Sequence, residues 1–101
     1  MPGNQPPAGG YNSSGDNPNG PNALWSGSFT YDDASNTVNY TRRDGQQFNN
    51  VPNQANGNAF NFTLDDTAHF VLPNPGNQGG KATYKGQCNV NPSEAWTATQ
   101  N

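Results

Sequence analysis

Two acid pairs, Asp32–Asp33 and Asp65–Asp66, are the most concentrated charge in the chain. Calcium takes several hard oxygen ligands, and Asp pairs flanked by Asn and Thr could supply them. The pattern lacks the spaced acids and central Gly of an EF-hand, and the competing role is turn chemistry, with Asp side chains satisfying loop amides. We expect no cofactor and no metal, with calcium at these pairs as the alternative. His69 and Cys88 are each present once. A single cysteine forbids an intrachain disulfide and a cysteine-based metal site, which leaves a small buried hydrophobe, an interchain bond or, if His69 lies beside it, a nucleophile. Glu94 together with an Asp could flank a glycosidic bond, but one carboxyl would need an apolar pocket to raise its pKa. No Ser–His–Asp order, HExxH, glycine-rich phosphate loop or zinc spacing appears. The expectation is a chain without catalytic residues.

Sugar binding is easier to build from these residue types. An aromatic face stacks on the C–H groups of a sugar, while Asn, Asp and Gln satisfy the hydroxyls. The candidate site is Trp25 or Trp96 as the platform, aided by Asp32, Asp33 and Asn36, with polysaccharide or a cell-surface glycan as ligand. The competing demand is the core: the sequence has no Ile and only three Leu, so its aromatics must also fill the interior. Within residues 25–48, Trp25, Tyr31, Val38, Tyr40, Gly45 and Phe48 follow an order that resembles small chitin-binding β modules. The adjacent Trp pair that those modules use as a platform is missing.

The elements that must hold these groups read as strands. From residue 23 onward apolar and polar residues alternate with period two: Trp25, Phe29 and Tyr31; Val38 and Tyr40; Phe60, Phe62 and Leu64. Later come 68–72, 82–84 and 94–99. This is the mark of half-buried antiparallel strands. The fold class expected is all-β, a small antiparallel β-sandwich or barrel. Asn36 is placed to close a hairpin in the left-handed conformation, and Arg43–Asp44–Gly45 makes a second tight turn. Segments 49–58 and 73–80 read as loops. The one helical candidate is a short turn opening at Asn91–Pro92, with Asn as cap and Pro first. Phe29–Thr30–Tyr31–Asp32–Asp33 recurs as Phe62–Thr63–Leu64–Asp65–Asp66, with Val38 and Val71 at equal offsets. That is either a duplicated hairpin or coincidence between simple alternating strands.

Residues 1–22 are almost entirely Gly, Pro, Asn, Ser and Gln, with Tyr11 as the sole aromatic. They read as a disordered or extended N-terminal segment ahead of a β domain at 23–101. An assembly alternative follows, in which that segment pairs with a neighbour's sheet edge in a homo-oligomer, filament, coat or virion.

Only 29% of residues are apolar and 11% charged, with 11% aromatic. Disorder normally comes with many charges and few aromatics, so the chain folds, around a thin core. A net charge of −3 with four basic residues argues against nucleic acid, since no basic stripe exists to neutralise phosphates. Arg42 and Arg43 are adjacent and in a strand point to opposite faces. No apolar run reaches membrane-spanning length. Met1 is followed by Pro, Gly and Asn rather than a basic and then apolar stretch, so no signal peptide is read. That leaves a cytosolic protein or a mature secreted domain, and the polar composition favours the second, so the expected location is outside the cell or on its surface. Asn12–Ser13–Ser14, Asn39–Tyr40–Thr41 and Asn61–Phe62–Thr63 have the form of glycosylation sequons. The outward Asn39/Thr41 and Asn61/Thr63 pairs also suggest a flat polar ladder.

Overall fold

The alternating segments form one antiparallel sheet in a computed structural model that describes residues 5–90 and 92–101. The strands are β1 (Gly9–Gly15), β2 (Gly27–Asp32), β3 (Thr37–Arg42), β4 (Gln47–Pro52), β5 (Phe60–Leu64), β6 (Ala68–Gln78), β7 (Lys81–Asn89) and β8 (Ser93–Gln100). Their order is β4-β3-β2-β1-β8-β7-β6-β5. Every strand pairs with its sequence neighbours except β4 with β5, and β1 also pairs with β8. The sheet therefore curls into an up-and-down barrel, open only between β4 and β5. Of the two architectures expected, the barrel is the one formed.

The disordered N-terminal segment is corrected. Residues 9–15 are a central strand, paired with β2 through Tyr11↔Phe29 and with β8 through Asn12↔Thr99. Sequence alternation could not show this, because Tyr11 is its only large apolar residue. Pairing on both sides supplies what the side chains lack, and Tyr11 is fully buried. Its ring stacks on Phe29 at 5.1 Å and meets Phe60 edge-on at 5.2 Å.

Two expected loops are also strands. Residues 47–52 form β4, whose irregular burial reflects a bulge opposite Asn39, where Asn50 takes a left-handed φ of 57°. Asn39 Oδ1 accepts the Asn50 N–H at 2.9 Å. Residues 73–78 extend β6 into a hairpin arm with β7, turned at Gly79–Gly80, both at positive φ. Pro73 and Pro75 are tolerated because β6 is an unpaired edge there. The helical expectation at Asn91–Pro92 opens on a residue outside those described. The one helical turn among the described residues is a 3₁₀ turn at Ala23–Trp25.

The core is aromatic, as the shortage of aliphatics requires. Phe29, Phe60, Phe62 and Phe70 interlock with Tyr11, Tyr31, Tyr40, Tyr84 and Trp96, all at most 3% exposed. Edge-to-face contacts dominate, such as Phe60–Tyr84 at 4.9 Å and Phe70–Trp96 at 5.5 Å. An eight-stranded barrel is just wide enough for side chains to fill, and this interior is filled. Cys88 faces Phe70 across the β6–β7 pair and is fully buried. Burial, with the Glu94 carboxylate nearby as the lesser cause, pushes its thiol up to about 12.

The repeated motif stops at the turn. Tyr31 pairs with Val38, but the equivalent Leu64 pairs with Ala68. The first hairpin spends more residues turning, so Val38 points into the barrel and Val71 out of it. Only the opening strands of the two hairpins correspond.

Candidate functional site

The barrel has two ends, and antiparallel order decides which residues share one. β2 and β5 run in opposite directions, so Asp32–Asp33 and Asp65–Asp66 sit at opposite ends. Asp65 and Asp66 both take left-handed φ, 55° and 52°, in the turn closed by Thr67 N–H to Leu64 O. Asp32 Oδ1 accepts the Ala34 N–H at 3.0 Å. Both pairs lie in tight turns, and of the four carboxylates Asp32 is the one bonded to a loop amide. Among the described residues no three His, Cys, Asp or Glu side chains gather as a metal site would need.

The expected platform residues are placed differently from the reading above. Trp96 is 1% exposed inside the barrel and Trp25 is 8% exposed at its end. Trp25 is covered by Arg42, whose guanidinium lies 4.6 Å over the indole and 5.8 Å from Phe48. Arg42 is itself held by Asp44 through bonds of 2.9 and 2.7 Å, which lower the Asp44 carboxyl to about 2. Neither indole offers a free face to a sugar. Asn36 has the predicted left-handed φ, 57°, but its amide is taken. Its Oδ1 accepts the Tyr31 hydroxyl at 2.7 Å, and its Nδ2 donates to Asn53 O at 2.9 Å. Asp32, Asp33 and Asn36 stand at the far end of β2 from Trp25. The five residues do not form one site, because the core claimed the aromatics and the turn claimed the amide. The positions resembling chitin-binding modules are mostly core positions too: Tyr31, Val38 and Tyr40 are at most 1% exposed.

The buried polar groups are tied to one another. Trp96 Nε1 donates to Ser13 Oγ at 2.8 Å. Ser13 and Tyr40 share a hydroxyl bond of 2.8 Å, and Tyr40 donates to the Trp25 carbonyl. Tyr40 has one proton and spends it on that carbonyl, so Ser13 supplies the proton between them. Each group in the chain is satisfied, which fixes β8, β1, β3 and the 3₁₀ turn against each other. Asn53, 5% exposed, does similar work at the seam. It accepts Asn61 N–H at 2.9 Å and donates to Ala59 O at 3.2 Å. The Gln54 N–H reaches Asn61 O at 2.7 Å. Extending that register puts Pro52 opposite Thr63, and proline has no N–H to continue the ladder. A groove of 390 Å³ lined by Val51, Pro52 and Thr63 marks the place.

His69 and Cys88 lie on opposite faces. Cys88 points inward, whereas His69 Nε2 meets Asn61 Oδ1 at 2.6 Å on the outside. Glu94 sits at the barrel end, beneath the loop that follows β1. A Cβ on Gly20 would fall 2.0 Å from its Oε2, so a larger residue there would push the carboxylate aside. Its Oε1 accepts Asn22 N–H at 3.0 Å.

What remains accessible is the outer face. Gln47, Thr41, Ser28, Asn12 and Thr99 are cross-strand neighbours on β4, β3, β2, β1 and β8 in turn. All five point outward and carry hydroxyls or amides. Beyond them Thr83 pairs with Thr99 but is only 4% exposed. Alongside runs a second polar line, Asn39, Thr30 and Gly10. Asn39 and Thr41 of the expected ladder are therefore joined by residues of four more strands, whereas Asn61 and Thr63 lie on β5 at the other side of the open seam. Nothing local joins Ser28, Asn12 and Thr99 in one row, since which strands adjoin is decided by topology.

No family model, curated protein or solved structure matches the chain. Among the described residues no helix is long and apolar enough to cross a membrane.

Proposed function

We propose that this is a non-catalytic extracellular or cell-surface module that binds extended polysaccharide along the outer face of its barrel. The observation that carries the reading is the uncharged row Gln47, Thr41, Ser28, Asn12 and Thr99, in register across five strands. Hydroxyls and amides both donate and accept, as sugar hydroxyls do. Neighbouring strands lie about 4.8 Å apart, so the row offers a polar group at intervals comparable to a sugar ring.

The affinity this can supply is small. Each hydrogen bond exchanged with water nets roughly 0.5–1.5 kcal/mol, so five contacts give about 2.5–7.5 kcal/mol before ordering costs are subtracted. Millimolar binding corresponds to about 4 kcal/mol. A monosaccharide would bind too weakly to matter, whereas a polymer engaging the row repeatedly gains by multivalency. The filled interior points the same way, towards a surface ligand.

Affinity electrophoresis in gels containing soluble glycans tests this. Wild type should be retarded by at least one polymer, and Ser28→Leu, which plants a bulky uncharged side chain without hydrogen-bonding groups mid-row, should run as in a glycan-free gel. No retardation on any glycan would end the proposal.

One observation favours a second reading, assembly into a homo-oligomer or filament. The seam leaves the Pro52 and Thr63 edges unpaired, although the N-terminal strand first considered for exchange is already paired on both sides. Light scattering would then give a mass well above 10.8 kDa, and a strictly monomeric profile at high concentration would dismiss it.

A further inference from the structure

One register step from the neutral row lies a charged one. Lys85 pairs with Thr97, and Thr97 with Ser14. Ser13 pairs with Gly27, which sets Ser14 beside Ser26, and Ser26 O accepts the Arg43 N–H at 2.7 Å. Three hydroxyls are thus bracketed by two cations. Each cation also lines a depression. Arg43, with Ser14 and Ser26, borders one of 340 Å³; Lys85, with Asn74 and Gln87, borders one of 450 Å³. The chain has four basic residues. Arg42 is committed to Asp44 and Trp25, and Lys81 stands at the tip of the β6–β7 arm. Arg43 and Lys85 have no acidic partner within ion-pair distance among the described residues. The one acid on the row is Asp16, whose Oδ1 accepts the Thr97 hydroxyl at 3.0 Å.

From this juxtaposition we infer that the polysaccharide is a polyuronate, with sugar carboxylates held at Arg43 and at Lys85 and sugar hydroxyls at Ser26, Ser14 and Thr97. The inference rests on the polysaccharide reading above and names its ligand class. Four strand steps of about 4.8 Å separate the cations, so a single small acid cannot reach both and a polymer can. The guanidinium fork of Arg43 matches a carboxylate bidentately, while Lys85 acts as a point charge. A chain of net charge −3 repels a polyanion elsewhere on its surface, so a polymer lying along the outer face is drawn to this row and to the neutral row beside it. Asp16 opposes the ligand and limits its affinity.

The test compares polygalacturonate with the same polymer methyl-esterified, by affinity electrophoresis at low and high salt. Retention should favour the acid form at least fivefold and fall with salt. Arg43→Gln and Lys85→Gln should each weaken it severalfold, Asp16→Asn should strengthen it, and Lys81→Gln should change nothing. Equal retention on acid and ester, a loss in Lys81→Gln matching that in Arg43→Gln, or preference for a sulfated neutral backbone would overturn the polyuronate assignment. Binding to neutral glycans alone would remove this inference and leave the broader proposal standing. No binding to any glycan would remove both. Thermal melts of each variant, all at exposed positions, confirm the fold.

Discussion

The inner and outer faces of the same strands follow different rules. Along β1, Tyr11 and Ser13 are buried while Asn12 and Ser14 are exposed; along β2, Phe29 and Tyr31 alternate with Ser28 and Thr30. Inside, each residue answers to many neighbours at once, and even the polar atoms of Ser13 and Tyr40 are spoken for. Outside, some polar groups are bonded to neighbours, as Thr97 is to Asp16 and Asn39 to Asn50, while Asn12 and Ser28 stand exposed to solvent. A chain this short of aliphatics builds its core from aromatics and so cannot also display them. On the proposed reading, recognition falls to the side chains that folding does not use.

The contrast predicts a wide spread of mutational effects. The largest belongs to the core: Phe62→Ala should cost about 3–5 kcal/mol, a large share of a small domain's total of roughly 5–15 kcal/mol. Urea midpoints would read it, and a loss below about 1 kcal/mol would mean a loosely packed interior. Next comes the seam, where Asn53→Ala strands the Asn61 N–H and the Ala59 carbonyl and should cost about 2–3 kcal/mol. Hydrogen exchange at Asn61 and Gln54 should rise in that variant, and unchanged exchange would show that the seam closes without Asn53.

Tyr40→Phe leaves the Trp25 carbonyl without its donor and should cost about 1–3 kcal/mol. Titration gives an effect of its own. Burial raises the Cys88 thiol to about 12 and also raises the Tyr11 and Tyr40 phenols. The folded state therefore keeps protons that the unfolded chain releases. This stability is complete below the ordinary thiol value of 9.0 and is lost as pH climbs towards 12. Urea midpoints should fall across that alkaline range, and a flat profile would place the thiol in water. Smallest of all is Thr99→Ala on the outer face, expected within about 0.5 kcal/mol of wild type yet less retarded on glycan. A strongly destabilised Thr99→Ala would erase the distinction between the faces.

Much of this was legible in the chain. Alternation located β2, β3, β5 and the inner half of β6, and it gave the correct inward residues, because period two is a local property. Asn36 at a hairpin turn and the opposed directions of Arg42 and Arg43 followed from equally local chemistry. β1 was not legible, since a Gly/Ser/Asn strand with one aromatic owes its existence to partners on both sides. β4 was hidden by its bulge, and the arm at 73–78 by its prolines. The platform reading of Trp25 and Trp96 missed because exposure of an indole depends on what lies across the barrel.

Composition and period, then, determined an all-β chain with an aromatic interior and a hydroxyl- and amide-bearing exterior, since both act between residues close in sequence. Tertiary structure alone decided that β1 would sit between β2 and β8. That placement joins Asn12 to Ser28 and Thr99, and Ser14 to Thr97, over sequence separations that no local pattern spans. The outer rows exist only because the barrel closes through its first and last strands.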